Sequence, residues 1–361
     1  MMRHAWRGIA GLLAIGALTA GGSVALAHGG GHGNRDNTRD RGNALATTVF
    51  TMPAAPDGNP EGIAFDKTSG RFFVSRTATG AIFAGTLDSP TLTPFIAGVR
   101  PNPAPTDPPV ATGLKVRGGL LYVAGASKGD IRVYDLANPT AAPKVFQTGG
   151  GFINDLDLDE DGNVFATDST KSTIYEVTAA QVAAGSGTPK AIDVSSGITS
   201  TPGQFNLNGI VARGDDELIV VNSFTGELFR ITFAGDDDDN AAQSSTPRIE
   251  KIAIEGGDGD VKGGDGLLVD RGRLLVVRGS TPHNANGAVQ AFKLSHHRTR
   301  ARFESETSDP SLSGPSTIAR ARNRLLVVNA SFQAGPTNGN FTVTGPARGA
   351  IRHGGGRHRR G

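Results

Sequence analysis

The chain of 361 residues contains 51 Gly, 20 Pro and no Cys, and 19% of its residues are charged. The absence of Cys excludes disulfide scaffolds, zinc–thiolate sites and thiol nucleophiles, and the high Gly content favours short elements joined by tight turns. The 36 basic and 34 acidic side chains give a formal net charge of +2, which argues against nucleic-acid binding, because that function needs a concentrated basic face.

Residues 1–27 have the pattern of a secretory signal peptide. Arg3 and Arg7 lie in a positive n-region, a short apolar stretch follows, and Ala25-Leu26-Ala27 offers a cleavage site. Gly21-Gly22 interrupts the apolar stretch, which is too short for a spanning helix of about 20 apolar residues. We therefore expect a secreted, extracellular protein with no membrane segment after cleavage; an uncleaved anchor is the alternative.

Two flanking segments have compositions typical of disorder. Residues 28–45 are rich in Gly, His and Arg, and residues 347–361 form a basic, Gly-rich tail. Such segments carry too few apolar side chains to bury, so we expect them to be solvated and disordered. Residues 46–346 remain as the folded domain.

The folded part contains six copies of one unit, and each copy begins with a predicted hairpin. An alternating segment, a polar or Gly turn and a β-branched or aromatic run recur at residues 62–76, 113–124, 155–168, 209–222, 266–278 and 317–329. A third strand follows each hairpin, and a fourth follows in the first five copies. Residues 178–184 are the one segment expected to form a turn or two of helix.

The sixth copy lacks a fourth strand, and an isolated strand precedes the first copy. Residues 47–52 (TTVFTM) have the character of the fourth strands. Pairing of this strand with the sixth copy would close the ring and leave no open sheet edge. We therefore predict an all-β fold, a six-bladed β-propeller with the N-terminal strand closing the last blade, and we expect a monomer.

Aligned positions just before the first strand of each copy are expected to form a ring around the propeller axis. All six residues carry a side-chain oxygen, namely Glu61, Thr112, Asn154, Asn208, Asp265 and Ser316. Hard oxygen ligands suit Ca²⁺ or Mg²⁺, and Glu61 with Asp265 would neutralise one divalent cation. The alternative is that these residues bond backbone amides in turns.

A second set of aligned positions lies at the end of the second strand of each copy, on the same face. These residues are Arg76, Ala124, Asp168, Asn222, Arg278 and Asn329. We expect them to line a funnel above the ring, where Arg76 and Arg278 could contact the hydroxyls or carboxylate of a small-molecule substrate.

Four short motifs resemble the gluconolactonase/regucalcin (senescence marker protein) family. They are Pro60-Glu61-Gly62-Ile63-Ala64, Asn154-Asp155, Asn208-Gly209-Ile210 and Asp265-Gly266-Leu267. The resemblance implies a six-bladed propeller that binds a divalent cation at its axis and hydrolyses sugar lactones or related esters. It implies metal ligands at Glu61, Asn208 and Asp265, a metal- or substrate-facing Asn154, and Asp265 as general base.

The resemblance favours Ca²⁺ as the cation, with Mg²⁺, Mn²⁺ or Zn²⁺ as alternatives. Two other functions remain open. The blade turns are similar to generic NHL-type repeats, which implies a non-catalytic platform for a glycan, peptide or cell-wall ligand. A metal-free synthase resembling strictosidine synthase is the third reading, and the polar axial ring argues against it.

Overall fold

The computed structural model describes residues 47–53, 57–104, 106–233, 246–332 and 342–345. The predicted signal peptide and both segments predicted to be disordered lie outside the described residues. Within those ranges the chain forms β-strands and one short helix, and no helix is long and apolar enough to span a membrane.

The N-terminal half contains three four-stranded antiparallel sheets and the strand β1 (Thr48–Thr51), which belongs to the last sheet of the chain. The first sheet consists of β2 (Pro60–Phe65), β3 (Arg71–Arg76), β4 (Ile82–Thr86) and β5 (Thr93–Ile96). The second consists of β6 (Leu114–Arg117), β7 (Leu120–Ala124), β8 (Asp130–Asp135) and β9 (Lys144–Gln147). The third consists of β10 (Ile153–Leu158), β11 (Val164–Asp168), β12 (Thr173–Val177) and β13 (Lys190–Asp193).

The helix α1 (Ala179–Ala184) lies between β12 and β13, where the sequence predicts a turn or two of helix. Thr178 caps it: its hydroxyl accepts from the backbone of Gln181, and the Gln181 side chain accepts from the backbone of Thr178. Gly185 ends the helix in the left-handed conformation, φ 74°. The helix is therefore a local consequence of its capping residues.

The C-terminal half forms one eight-stranded sheet and one further four-stranded sheet. The eight-stranded sheet contains β14 (Leu207–Arg213), β15 (Glu217–Asn222), β16 (Glu227–Thr232), β17 (Arg248–Glu255), β18 (Gly264–Asp270), β19 (Arg273–Arg278), β20 (Ala288–Leu294) and β21 (Arg300–Thr307). The last sheet contains β22 (Pro315–Ala321), β23 (Arg324–Asn329) and β24 (Thr342–Gly345), and β1 pairs with β24 along its free edge.

The eight-stranded sheet differs from the expected series of separate four-stranded units. Its two halves, β14–β17 and β18–β21, each repeat the antiparallel order of the other sheets. They are joined because their outer strands, each eight residues long, run side by side: Ala253 to Glu255 pair in parallel with Arg300 to Arg302. The two sheets are thus hydrogen-bonded at their outer edge.

The first strands of the sheets surround a common axis. Each inner strand contacts the next in the order β2, β6, β10, β14, β18 and β22, and β22 contacts β2. Apolar clusters fill the spaces between neighbouring sheets; one of them contains Phe50, Phe72 and Val328 from three different strands. The prediction of an all-β propeller is confirmed at the level of a propeller-like fold with almost no helix.

Candidate functional site

A β-bulge recurs at the ring positions of the inner strands. The register of the first strand against the second shifts between Pro60 and Ile63, and the same shift occurs in β10, β14, β18 and β22. The residues that each shift passes over are Glu61–Gly62, Asn154–Asp155, Asn208–Gly209, Asp265–Gly266 and Ser316–Thr317. Because a bulge places two residues opposite one, it re-aims a side chain out of the alternating pattern of the strand.

Two of the six ring residues bond the backbone of a neighbouring inner strand. The hydroxyl of Thr112 donates to the carbonyl oxygen of Ile153 at 3.0 Å, and that of Ser316 donates to the carbonyl oxygen of Glu61 at 2.8 Å. These two hydroxyls connect adjacent strands around the axis. For Thr112 and Ser316, backbone bonding therefore accounts for the side-chain oxygen.

The carboxylates of the ring lie in a desolvated, negatively charged environment. Burial raises the pKa of Glu61 well above its usual value, and the charges of Asp265 and Asp155 raise this pKa further. Burial also raises the pKa of Asp265 well above its usual value, and the charge of Asp155 adds to the effect, while a hydrogen bond from Asn208 opposes it. Three acidic groups thus interact near the axis, and each disfavours the charge of the others.

Two side-chain oxygens of the ring have no hydrogen-bond partner among the described residues. They are Glu61 Oε2 and Asn208 Oδ1, and their residues are 5% and 7% exposed. An unsatisfied buried acceptor is costly. Within the same described ranges, no cluster of three or more His, Cys, Asp or Glu side chains is placed to hold a metal ion. The ring instead combines two carboxylates, Glu61 and Asp265, with the carboxamides of Asn154 and Asn208. Oxygen acceptors beside mutually repelling carboxylates fit a divalent cation.

Asn154 is held in the ring by a chain of hydrogen bonds. Its amide nitrogen donates to the Ser169 hydroxyl at 2.8 Å, and that hydroxyl donates to the carbonyl oxygen of Leu207 at 2.6 Å. The side chain is 5% exposed. These bonds fix the orientation of the Asn154 carboxamide between β10 and β14.

Asp155 belongs to this site, although its residue type and position in the repeat do not predict a role for it. Burial raises the pKa of Asp155 to about 6, although the nearby Lys115 and the backbone NH of Leu156, 2.9 Å from Oδ1, act to lower it. Its charge acts on both Glu61 and Asp265. The signal in the sequence is the second residue of the bulge, which is Gly in three of the five bulges and Asp only in β10.

Arg76 and Arg278 are buried and engaged with protein groups. Arg76 is 0% exposed, and its Nη1 donates to the carbonyl oxygen of Pro53 at 3.1 Å. Its guanidinium lies 5.5 Å from the Phe83 ring centroid, and burial lowers its pKa to about 10. Arg278 is 3% exposed.

Two of the three groups that Arg278 bonds lie in the loop that leads into β18, and the third is Gln290 Oε1 on β20, 3.3 Å from Nη1. Its Nε donates to the carbonyl oxygen of Lys262, and its Nη1 contacts Asp258 Oδ2 at 2.9 Å. The exposed His283 approaches the other oxygen of Asp258 at 3.2 Å. Arg278 therefore holds the segment that precedes Asp265.

Comparison with solved structures shows the same fold in proteins of several functions. A gluconolactonase from Xanthomonas campestris superimposes with a TM-score of 0.54 at 15% identity, covering 86% of this chain and 99% of that one. Regucalcin, a calcium-binding protein from Agrobacterium tumefaciens, gives 0.53 at 18% identity, with 83% and 95% covered. The Malassezia sympodialis allergen Mala s 1 gives 0.61 at 15% identity, with 88% and 99% covered.

These similarities confirm, at the level of the fold, the resemblance to gluconolactonase and regucalcin. No protein-family model and no curated protein matches the chain by sequence. Because the allergen shares the fold as well, the fold alone does not decide the function.

Proposed function

We propose that this protein is a metal-dependent hydrolase of a sugar lactone or a related ester, with its cation bound at the propeller axis. The observation that carries the proposal is the pair of buried, unpartnered oxygens, Glu61 Oε2 and Asn208 Oδ1, beside Asp265. The gluconolactonase and the calcium-binding regucalcin that share the fold support it.

The ligand set consists of Glu61, Asn208 and Asp265, with Asn154 as a further ligand or as a substrate contact. Two carboxylates and neutral carboxamides suit Ca²⁺, with Mg²⁺, Mn²⁺ and Zn²⁺ as alternatives. When bound, the cation would supply Lewis-acid polarisation of the lactone carbonyl. The positive charge would also relieve the repulsion among Glu61, Asp155 and Asp265.

Asp265 is the residue to which we assign the proton transfer. Its carboxylate takes a proton from the water that attacks the carbonyl carbon. The ring C–O bond then breaks, and the departing oxygen receives that proton, so that lactone and water give one hydroxy acid. Asn154 and Asn208 cannot accept a proton at this step, and positioned general bases typically contribute a factor of about 10²–10⁴ in rate.

We further propose that the fold is a six-bladed propeller closed by its N-terminal strand. In this interpretation the eight-stranded sheet is two blades joined at their outer edge, and β1 supplies the fourth strand of the last blade. The ring of contacts among the six inner strands supports this count. In such a closed fold the last blade depends on β1, because β1 covers the edge of β24 that would otherwise be exposed.

The setting that we propose for this activity is extracellular. The secretory pattern of residues 1–27 supports export, and a mature chain with 34 basic and 34 acidic residues, once Arg3 and Arg7 are removed from the 36 and 34 of the full chain, suits a small-molecule substrate rather than a nucleic acid or a membrane. We propose that the mature protein acts as a monomer.

The test is turnover by purified protein loaded with Ca²⁺, Mn²⁺ or Zn²⁺, on a panel of sugar lactones and aryl esters. Asp265→Asn keeps an oxygen ligand but removes the proton acceptor, so it should retain the metal and lose a factor of about 10²–10⁴ in kcat. Metal content of the variant, measured in parallel, separates loss of the base from loss of the cation. No turnover above the Asp265→Asn background would reject the hydrolase.

A non-catalytic binding propeller, which would hold a glycan, peptide or cell-wall ligand at the same funnel, is the second candidate. The observation that favours it is the engagement of Arg76 and Arg278 by Pro53 and Asp258, which leaves fewer charged groups to orient a reacting substrate. In that case metal-loaded protein would bind such a ligand without consuming any of the lactones or esters.

A further inference from the structure

A cavity of about 480 Å³ opens at the end of the inner strands opposite to the bulged ring. Four neighbouring inner strands line it, because the inner strands start at the ring and end here. Its charged lining comes from three basic residues, Lys115, Arg117 and Arg213, and three acidic residues, Asp157, Asp159 and Glu160. Arg117 is engaged, because its guanidinium donates to the carbonyl oxygens of Asp159 and Glu160. The apolar lining comes from Val116, Leu158, Ala212 and Val269. None of these residues belongs to the ring that we assign to the cation.

Arg213 brings a positive charge to this cavity, and the nearest carboxylate, that of Glu217, already pairs with two other arginines. Its Nε lies 3.7 Å from Glu217 Oε1, which is beyond hydrogen-bond distance. Glu217 is already bound by Arg230, whose Nε lies 2.5 Å from Oε2, and by Arg298. Among the described residues Arg213 Nε has no hydrogen-bond partner, so this N–H is an unused donor.

Lys115 supplies a second cation in a similar state. Its Nζ lies 3.9 Å from Asp157 Oδ1, while the other oxygen of Asp157 accepts from the backbone NH of Ala212 at 3.0 Å. Burial lowers the pKa of Lys115, but the charges of Asp157 and Asp155 outweigh burial and leave it raised. Lys115 is therefore charged, and it is one long contact away from its acidic neighbour.

Asp157 differs from Arg213 and Lys115 because its side chain accepts hydrogen bonds. Asp157 carries a carboxylate between the two basic side chains, and such a group is a common acceptor for hydroxyls. The apolar side chains of the lining would pack against the C–H groups of a bound ligand. A volume of about 480 Å³ lies within the usual range of ligand pockets, about 300–1,000 Å³.

We propose that this cavity is a second binding site, and that it takes a small polyhydroxylated anion, a sugar carboxylate or a sugar phosphate. Arg213 and Lys115 would hold the anionic group, since guanidinium and ammonium donors form charge-assisted bonds to carboxylate and phosphate. Asp157 would accept from the hydroxyls. The site is separate from the axial ring, and the proposal does not depend on the proposed hydrolase.

The experiment is calorimetric titration of the full chain, in EDTA and again in Ca²⁺, with four probes: galacturonate, glucose 6-phosphate, galactose and inorganic phosphate. One of the two sugar anions should bind at one site with the same affinity in EDTA and in Ca²⁺. Galactose and inorganic phosphate should bind at least about tenfold more weakly, because each offers only part of the recognised chemistry. The stronger of the two sugar anions identifies the anionic group.

Variants locate the site. Arg213→Gln and Lys115→Gln should each weaken that binding about tenfold or more, whereas Arg248→Gln, an outer-strand arginine that is 74% exposed, should leave it unchanged. Thermal melts of each variant establish that it is folded. Absence of binding by both sugar anions, equal binding of galactose, or unchanged affinity in Arg213→Gln would each overturn the proposal.

Discussion

Glu61 is the residue whose surroundings depend most on what occupies the axis. Without a cation, its buried carboxylate faces the charges of Asp265 and Asp155 and has an unpartnered oxygen. If the axis binds a divalent cation as proposed, the unpartnered oxygen would be a preformed ligand, and the cation would offset two of the three negative charges. Glu61 would then lower the stability of the metal-free fold and raise the affinity for the cation.

The substitution Glu61→Gln tests both effects, on stability without metal and on affinity for the cation. In EDTA the variant should melt at a higher temperature than the original protein, because it removes one of three repelling buried carboxylates. In Ca²⁺ at about 100 times the original dissociation constant, the original protein should gain about 2.7 kcal/mol, and the variant should gain much less. Thermal melts with and without EDTA measure both effects.

Glu255→Gln is the matched control, because Glu255 is 47% exposed on the outer strand β17. Its melting temperature should follow that of the original protein in both buffers. If Glu61→Gln melted lower than the original protein in EDTA and kept the full Ca²⁺ gain, the carboxylate would be acting in a structural role away from any cation.

At the scale of the element, the repeated bulge lies where neighbouring inner strands approach each other closely. Its second residue is Gly in three of the five bulges. At Gly62 an added Cβ would lie 2.3 Å from the carbonyl oxygen of Thr112 and 2.8 Å from the backbone nitrogen of Leu114. Both atoms belong to the backbone of β6 or the residues that lead into it. The glycine therefore permits close approach of two sheets at the axis.

We expect Gly62→Ala to lower the free energy of unfolding by about 1–3 kcal/mol, because overpacking against backbone cannot be relieved by a rotamer change. Gly279→Ala is the control, since its Cβ would meet only the carbonyl oxygen of Pro315 at 3.6 Å, an ordinary contact. Urea unfolding of the two variants measures the difference. Equal stability of the two would contradict close packing at the bulge.

Much of this architecture could be predicted from local sequence. The hairpins, the third and fourth strands and the capped helix follow from alternation, turn residues and the Thr178–Gln181 pair, which are all short-range signals. The ring positions could be aligned because the units repeat. The bulge could not be predicted, because only one strand residue precedes it in each inner strand, which is too short a stretch to show a shift in the alternation.

Features that depend on distant partners could not be predicted from the sequence. The repeat alignment places Arg76 and Arg278 on the predicted funnel, whereas in the structure they are buried and bond Pro53 and Asp258, which lie in other segments. The role of Asp155 depends on the proximity of Glu61 and Asp265 across the axis. The joining of β17 to β21 depends on the length of two outer strands, which a repeat alignment does not fix.

At the scale of the whole molecule, the first described strand pairs with the last. β1 pairs with β24, and Phe50 is 0% exposed in the cluster that contains Phe72, with their ring centroids 5.2 Å apart. The hydroxyl of Thr47 also donates to Asp309 at 2.7 Å. The N-terminal strand is thus bound by both backbone pairing and a buried aromatic side chain.

Phe50→Ala should destabilise the entire protein by about 3–5 kcal/mol, the usual cost of removing a buried Phe, because β1 completes the sheet formed by β22, β23 and β24. Val49→Ala is the matched control: it is the neighbouring residue on the same strand, and it is 38% exposed. Thermal melting of both variants measures the effect. A small local loss for Phe50→Ala, equal to that of Val49→Ala, would show that the fold does not need its first strand.

The most direct test of the account is anomalous diffraction from a crystal of the protein grown with Mn²⁺, and with Ca²⁺ in a matched crystal. We predict one strong peak on the axis, with Glu61 Oε2, Asn208 Oδ1 and a carboxylate oxygen of Asp265 at about 2.3–2.6 Å in the Ca²⁺ crystal. A crystal in which these three oxygens are bonded to protein groups or water and the axis holds no peak, under cation saturation, would contradict the proposed metal-dependent site.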